Sequence, residues 1–327
     1  MARVLVIGGT LPEQCLCELA SEHTVRKLTR NAIETEEGRS ALQTAEGIIA
    51  IGQIPLGQDF FDRTPNLRVL SLRSVGYDRV DLDECARRRI VVCNTAGTLD
   101  RAVADLTVLL ILSAARRLSE ALAYRWSDGD AKPALGLDIG SKRVGLYGYG
   151  RIGSLVGKTL TAGFGTEVVY HSRTGSENNG HQFGRWVERD ELFCTSDVVS
   201  VHTPLTPDTW HSIGTREFDL MKSSAYLVNT ARGAVVDEAA LINALSSRSI
   251  AGAALDVLET EPPSADNPLL TLGNVLVTPH IGSATEQTRH AMASRATANL
   301  LAVLAGRRPT SVVLDESHFA TTTEGTR

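Results

Sequence analysis

A glycine-rich turn between an apolar run and an amphipathic run is the feature that most constrains the fold of this chain. Residues 143–155 read RVGLYGYGRIGSL and place Gly148, Gly150 and Gly153 in the spacing G-x-G-x-x-G. That spacing is specific only where it closes a strand and opens a helix, and the flanking residues predict both. The three glycines permit, in order, a tight turn, close approach of backbone N–H groups to a pyrophosphate, and close packing of the helix on the sheet. The turn therefore predicts a βαβ unit that binds a dinucleotide.

Short β-branched runs alternate with amphipathic runs along the rest of the chain. Four such apolar runs precede residue 98, and six follow residue 142. Buried runs of this type joined by helices are typical of parallel sheets, so we predict an α/β fold with two blocks. Residues 101–125 are rich in Ala and Leu and contain no Pro or Gly, which predicts one long helix. Residues 286–306 predict a second long helix near the end of the chain.

A turn-rich connector separates the two blocks. Residues 127–140 read SDGDAKPALGLDIG, after which the alternation of strands and helices begins again. We expect the long helices to be the segments that pass between the domains. The predicted boundaries are a discontinuous substrate-binding domain of residues 1–98 plus 286–327 and a dinucleotide-binding domain of residues 99–285.

The composition is that of an ordinary globular protein and excludes several classes. Hydrophobic residues make up 43% of the chain. The formal net charge is −5, which gives no electrostatic reason to expect nucleic-acid binding. No apolar run approaches the ~18 residues that a membrane span needs. The five cysteines are scattered and odd in number, so we expect reduced thiols in a cytoplasmic protein and no metal site.

The segment VVYHSRT, residues 168–174, lies where an acid would normally hold a ribose hydroxyl, about 20 residues beyond the glycines. The chain has Ser172, Arg173 and Thr174 there instead. Without a carboxylate nothing repels a 2′-phosphate, and the Arg173 fork matches a phosphate group. The segment therefore predicts NADP(H) in preference to NAD(H), with NAD(H) as the alternative. The competing interpretation is a solvated loop whose arginine binds nothing.

Three later segments each end an apolar run with a residue suited to carbonyl chemistry. LVNTARGAVV supplies Arg232, LDVLETEPP supplies Glu261, and VLVTPHIGS supplies His280. An arginine fork is suited to bind a carboxylate and to polarise a carbonyl group. A histidine oriented by a carboxylate can serve as a proton donor to that carbonyl. Since ligands bind at the carboxyl edge of parallel sheets, we expect these three residues to be catalytic.

Together with SVGYDRVDL at residues 74–82, these motifs resemble the D-isomer-specific 2-hydroxyacid dehydrogenases, and most closely their glyoxylate/hydroxypyruvate reductase branch. The resemblance implies two Rossmann/flavodoxin-like domains with parallel sheets and an active site in the cleft between them. It also implies that the backbone of Val75 and Gly76 binds the substrate carboxylate. Besides the three glycines, Ser172, Arg173 and Thr174, it implies cofactor contacts at Val103, Arg151, Ile152, Thr203, Pro204, Thr230 and Asp256.

The expected activity is reduction of a small 2-keto acid to the D-2-hydroxy acid by hydride transfer from NADPH. The expected partners are this small acid and, by the resemblance, a second copy of the chain in a homodimer. Two alternatives stay open at this point. One is an NAD-linked dehydrogenase of another substrate, of the D-lactate type. The other is a dinucleotide-sensing binding protein that resembles the transcriptional corepressors of this family.

Overall fold

The computed structural model describes residues 1–52, 54–123, 135–173, 183–315 and 317. The chain divides into two compact units. The discontinuous unit comprises Met1–Leu99 and Thr285–Arg327, and the continuous unit comprises Asp100–Ala284. In the described parts of the chain, no helix is both long enough and apolar enough to cross a membrane.

The secondary structure of the described residues is a series of short strands and helices in alternation. The strands are β1 (Arg3–Ile7), β2 (Thr24–Leu28), β3 (Gly47–Ala50), β4 (Val69–Leu72), β5 (Val91–Cys93), β6 (Arg143–Tyr147), β7 (Glu167–His171), β8 (Arg185–Trp186), β9 (Val198–Val201), β10 (Tyr226–Asn229), β11 (Gly252–Leu255), β12 (Val275–Val277) and β13 (Val312–Leu314). The helices are α1 (Glu13–Glu22), α2 (Glu36–Thr44), α3 (Gln58–Asp62), α4 (Leu82–Arg87), α5 (Asp100–Ala115), α6 (Leu118–Ala123), α7 (Arg151–Phe164), α8 (Arg189–Thr195), α9 (Thr215–Leu220), α10 (Glu238–Ser246) and α11 (Glu286–Leu304). This is the predicted α/β class.

The sheet of the discontinuous unit has the strand order β13-β5-β4-β3-β1-β2. All pairs are parallel except β13, which runs antiparallel to β5. Alternate residues of β1 enter two different cores: Leu5 and Ile7 pack on one face, while Val4 and Val6 pack on the other with residues of α1 and α11. Both faces of the strand are therefore buried, which explains its unbroken apolar sequence.

The sheet of the continuous unit has the strand order β12-β11-β10-β9-β6-β7-β8, and every pair is parallel. The strand before the glycine turn, β6, therefore lies between β7 and β9. At the other end of the sheet, β10, β11 and β12 end in register, since Asn229 pairs with Leu255 and Leu255 with Val277. The loops that follow these three strands all leave from one edge of the sheet.

The predicted single helix over residues 101–125 is wrong. Helix α5 ends at Ala115, and α6 begins at Leu118. Between them Arg117 takes a left-handed conformation, with φ 53°, and its N–H donates to Ala114 O, which ends the α-helical hydrogen-bond pattern. Arg117 Nε also donates to Glu120 at 2.6 Å. Neither Ala and Leu content nor the lack of Pro indicates such a break.

Three strands were not predicted from the sequence. β2 and β8 lie at the outer ends of their sheets, and β13 is the antiparallel edge strand. β2 and β8 carry charged side chains, such as Arg26 and Lys27 in β2, so they lack the apolar pattern of central strands. β13 is apolar but only three residues long.

Candidate active site

The glycine-rich turn has the geometry that a dinucleotide requires. Gly148 has φ 103°, and a Cβ added there would lie 2.7 Å from the carbonyl carbon of His202. A Cβ on Gly153 would lie 2.6 Å from Gly148 O. Both positions therefore admit only glycine. Gly150 caps α7, and a Cβ there would meet nothing within 4 Å, so the space next to the helix N-terminus is open on the side where a pyrophosphate would bind.

Arg151 joins this turn to the start of α5. Its Nε donates to Oδ2 of Asp100 at 2.9 Å, so the first residues of two helices are held together. The neighbouring Ile152 is half-buried against the core beneath α7. Asp100 was not identified from the sequence. The only signal was that an acidic residue directly precedes the predicted long helix.

The end of β7 carries the residues that would meet the adenosine ribose. His171 Nδ1 lies 3.1 Å from Val187 O, and its ring stacks on Tyr147 with centroids 6.2 Å apart. Ser172 is half-buried and Arg173 is exposed. Thr174 lies outside the described residues. The strand thus ends with a hydroxyl and a guanidinium where an NAD-specific site would have an acid.

The end of β9 passes directly under the glycine turn. The His202 N–H donates to Tyr147 O at 2.7 Å, and the ring Nε2 lies 3.0 Å from Ser200 Oγ. Burial lowers the pKa of His202 to about 4, so the ring is neutral at physiological pH. Thr203 Oγ1 is buried and has no hydrogen-bond partner among the described residues. Such a hydroxyl is suited to form a hydrogen bond with a bound cofactor. Pro204 is exposed, and its carbonyl accepts from Thr209 at 2.6 Å.

Helix α5 supports the predicted cofactor residues Val103 and Thr230. Thr107 Oγ1 donates to Val103 O at 2.7 Å and lies 2.8 Å from the hydroxyl of Thr230. Thr107 is buried and connects α5 to the end of β10. This residue was not predicted from the sequence. The only sequence signal for it was that Thr107 follows Val103 by four residues, which places both on one face of the predicted helix.

Arg232 lies on a loop that presses against the loop after β11. Asn229, the last residue of β10, donates to Arg232 O at 2.9 Å and accepts from the N–H of Ala231 at 3.0 Å. A Cβ on Gly233 would lie 2.0 Å from the carbonyl carbon of Leu258, so only glycine permits this approach. The loop of Arg232 is thereby held against the segment that leads to Glu261.

Asp256 fixes the turn that carries His280. Its Oδ1 accepts from Thr278 Oγ1 at 2.6 Å and from the Ile281 N–H at 2.8 Å, while its Oδ2 accepts from the Gly282 N–H at 2.8 Å. Its backbone carbonyl accepts from the His280 N–H at 3.0 Å. The family resemblance implied a cofactor contact for Asp256. In the structure the residue is 2% exposed, and the contacts of its carboxylate oxygens are with this turn.

His280 and Glu261 form a direct pair. The imidazole Nδ1 lies 2.7 Å from Glu261 Oε2, and Glu261 Oε1 accepts from the Leu258 N–H at 3.1 Å. The side chains are 38% and 20% exposed. The structure therefore brings Glu261 and His280 together at the edge of the sheet where the loop of Arg232 also lies. In this arrangement a carboxylate orients an imidazole whose Nε2 points away from it.

Val75 and Gly76 lie on the discontinuous unit, in the loop after β4. Val75 O accepts from Asn94 Nδ2 at 2.9 Å, and Gly76 O accepts from Ser74 Oγ at 2.8 Å. The two carbonyls are therefore held by side chains. The two N–H groups have no hydrogen-bond acceptor among the described residues.

Comparisons with known proteins agree with this geometry. Residues 108–282 match the family model described as the NAD binding domain of the D-isomer specific 2-hydroxyacid dehydrogenases. The glyoxylate/hydroxypyruvate reductase B of Yersinia pestis is 40% identical over 309 residues, which cover 92% of this chain and 94% of that protein.

Solved structures of similar proteins also match nearly the whole chain. A protein from Thermus thermophilus is 41% identical with a TM-score of 0.85, covering 95% of this chain and 100% of its own. The NADPH-dependent glyoxylate/hydroxypyruvate reductase of Sinorhizobium meliloti, in complex with NADP and malonate, is 33% identical with a TM-score of 0.84 (95% and 96% covered). The D-lactate dehydrogenase of Aquifex aeolicus, complexed with NAD and lactic acid, is 29% identical with a TM-score of 0.83 (93% and 96% covered).

The Yersinia relative and the solved structures match more than nine tenths of the chain, and the family model, which matches residues 108–282, is that of an NAD binding domain. The glycine turn and the open space beside Gly150 suit such a dinucleotide. The chain therefore belongs to the D-isomer-specific 2-hydroxyacid dehydrogenases and is an NAD(P)-dependent oxidoreductase.

Proposed function

We propose that this enzyme reduces small 2-keto acids such as glyoxylate and hydroxypyruvate to D-2-hydroxy acids with NADPH. The observation that carries the proposal is the pair of His280 and Glu261, 2.7 Å apart, at the sheet edge where the loop of Arg232 is also held. The Yersinia relative, which bears the name of this activity, supports the proposal.

The roles of the residues follow from their chemistry. When bound, the reduced nicotinamide supplies the hydride. Arg232 binds the substrate carboxylate and polarises the carbonyl, because its planar fork matches a carboxylate. His280 gives a proton from Nε2 to the developing alkoxide, and Glu261 at Nδ1 holds the ring in place. The N–H groups of Val75 and Gly76 complete the recognition of the carboxylate.

The residues that would hold the dinucleotide also have distinct roles. Gly150 and the N-terminus of α7 receive the pyrophosphate, and Arg151 stays fixed beside it through Asp100. Thr203, Pro204 and Val103 line the nicotinamide side, with Thr230 held by Thr107.

Preference for NADPH depends on the end of β7. Ser172 removes the acid that would repel a 2′-phosphate, and the exposed Arg173 supplies a cation for it. The Sinorhizobium reductase, which is NADPH-dependent by name, supports this assignment. The Aquifex D-lactate dehydrogenase, complexed with NAD, supports the second candidate, an NAD-linked enzyme of the lactate type.

A panel of 2-keto acids assayed with each reduced cofactor tests the proposal. We expect kcat/KM for glyoxylate and hydroxypyruvate with NADPH to exceed that with NADH at least about tenfold, the effect of about 1.4 kcal/mol. Higher activity with NADH and pyruvate would favour the lactate-type enzyme. Absence of turnover with every acid of the panel would reject the proposed reaction in favour of a binding protein.

A further inference from the structure

Two arginines of the discontinuous unit lie on one face of its sheet, at the carboxyl edge. Arg73 directly follows β4, and its N–H donates to Ala50 O at 2.9 Å, so the strand pairing continues through it. Ser71 and Arg73 therefore point to the same face. Ser71 Oγ donates to Ala296 O of α11 at 2.8 Å, which shows that α11 covers this face. Arg289 lies in α11 about two turns before Ala296, towards the same edge of the sheet.

The positive charges of Arg73 and Arg289 act unfavourably on one another. Burial lowers the pKa of Arg73, and the charge of Arg289 lowers it further. Arg73 Nε is buried and has no hydrogen-bond partner, and neither arginine forms an ion pair within the described residues. Arg289 also lies near the N-terminus of a long helix, where a cation is unfavourable. The described residues thus leave a buried guanidinium nitrogen of Arg73 without an acceptor.

The adjoining backbone adds further donors without acceptors. The N–H groups of Val75 and Gly76 follow Arg73 by two and three residues, and neither has an acceptor among the described residues. Arg73 and these two backbone N–H groups thus belong to one loop, and α11 places Arg289 towards the same edge of the sheet. Such a set of donors is suited to an anion with more than one acidic group.

We propose that Arg73 and Arg289 bind a second, distal carboxylate of the substrate, so that 2-keto dicarboxylic acids are the preferred substrate class. The assignment rests on the proposed reductase activity, since the 2-carboxylate and the carbonyl are taken by the residues described above. A bound carboxylate would neutralise the repulsion between the two arginines and accept from Arg73 Nε.

Binding of unreactive acids tests this site without turnover. Succinate and butyrate have the same chain length, and only succinate carries the second carboxylate. With the full chain we expect calorimetry to give a Kd for succinate at least tenfold below that for butyrate, and Arg73→Gln and Arg289→Gln each to bring the two values together. Arg68→Gln is the matched control, because Arg68 precedes the same strand at its other end and is paired with Glu46 at 4.0 Å. Equal affinities in the unsubstituted enzyme would overturn the proposal.

Turnover provides a second, separate result. Oxaloacetate and 2-oxobutanoate have equal chain length, and we expect each variant to lose at least tenfold more kcat/KM for oxaloacetate than for 2-oxobutanoate. Equal losses for both acids would overturn the assignment to a distal carboxylate. If Arg73→Gln does not fold, Arg289→Gln decides both assays. If succinate binds tightly through these arginines but no 2-keto acid is reduced, the proposed function is rejected, whereas the assignment of an anion site to Arg73 and Arg289 stands.

Discussion

The Nδ1 atom of His280 lies 2.7 Å from Oε2 of Glu261, and the other oxygen of that carboxylate accepts from the N–H of Leu258. Because both oxygens have partners, the carboxylate cannot rotate without loss of a hydrogen bond. The imidazole is consequently held in one orientation by a group that is itself fixed. The proposed role of His280 as proton donor requires this kind of support.

The first prediction concerns this pair. His280→Gln should lower kcat for glyoxylate by roughly 10²–10⁴-fold, because an amide cannot deliver the proton. Glu261→Gln should give a smaller decrease, since the ring remains but is less well oriented. Steady-state kinetics measure both effects, and a fluorescence titration of NADPH should show that cofactor binding survives. His211 provides the matched control, because its Nε2 lies 3.0 Å from Glu259 in a similar pair. His211→Gln should keep kcat within about threefold; an equal loss there would contradict a special role for His280.

The second prediction concerns cofactor choice. The double change Ser172→Asp with Arg173→Ala should shift the ratio of kcat/KM for NADPH over NADH downward by roughly 10–100-fold, since it restores an acid and removes a phosphate-binding fork. Initial rates with each cofactor at fixed glyoxylate measure the ratio. Arg185→Ala is the control, as Arg185 is an exposed arginine nearby that pairs with Glu191 at 3.1 Å. An unchanged ratio in the double variant would show that Arg173 does not meet the 2′-phosphate.

The third prediction concerns Asp256. Asp256→Asn replaces one accepting oxygen with an NH₂ group that faces other donors, so the free energy of unfolding should fall by about 1–3 kcal/mol. The kcat should fall as well, because the turn that holds His280 loosens. Urea unfolding and glyoxylate kinetics measure the two effects. Thr278→Val removes only one of the contacts and should have the milder effect on both.

The fourth prediction separates the two roles of glycine in the turn. Gly150→Ala should change the free energy of unfolding by only about 1 kcal/mol, because its Cβ meets open space, yet it should raise the Kd of NADPH at least about tenfold. Gly148→Ala should instead lower the free energy of unfolding by about 2 kcal/mol or more, since it combines a positive φ with a clash against His202. Tight NADPH binding by Gly150→Ala would exclude a pyrophosphate at that position.

The fifth prediction concerns pH. The pKa of His202 is about 4 in the folded protein against 6.5 for an exposed histidine, so below pH 6.5 the unfolded chain binds a proton that the folded chain does not. The free energy of unfolding should therefore fall as the pH is lowered from 6.5 towards 4, by up to about 3 kcal/mol from this residue. Urea titrations at pH 7.5 and 5 measure the change. His202→Gln should show a smaller pH dependence, whereas the exposed His290→Gln should keep that of the unsubstituted protein.

The sequence was most informative where a local pattern determines the structure. The glycine spacing predicted the turn between β6 and α7 because each glycine is required by backbone geometry. The end of β7 was recognisable because residue counts along a βαβ unit are nearly fixed. The parallel sheets were predictable because strands buried on both faces have unbroken apolar sequences.

The sequence was least informative where contacts between residues far apart in the chain determine the structure. The end of α5 depends on Arg117, whose left-handed conformation has no local signature. The contacts of Asp256 join β11 to the turn after β12, and Thr107 meets Thr230 across more than a hundred residues of chain. The position of Arg73 and Arg289 on one face of the sheet depends on the packing of α11 against β4, which no sequence spacing encodes.

The antiparallel strand β13 affects how this protein is made. It pairs with β5, and Asn299 of α11 donates to Asn94 O just beyond β5, yet both β13 and α11 are translated after the entire continuous unit. During translation, β5 therefore leaves the ribosome with one edge unpaired, and the continuous unit can complete its own sheet first. An open edge is prone to pair with other nascent chains, so chaperone dependence should be greatest in the interval between the emergence of β5 and that of β13.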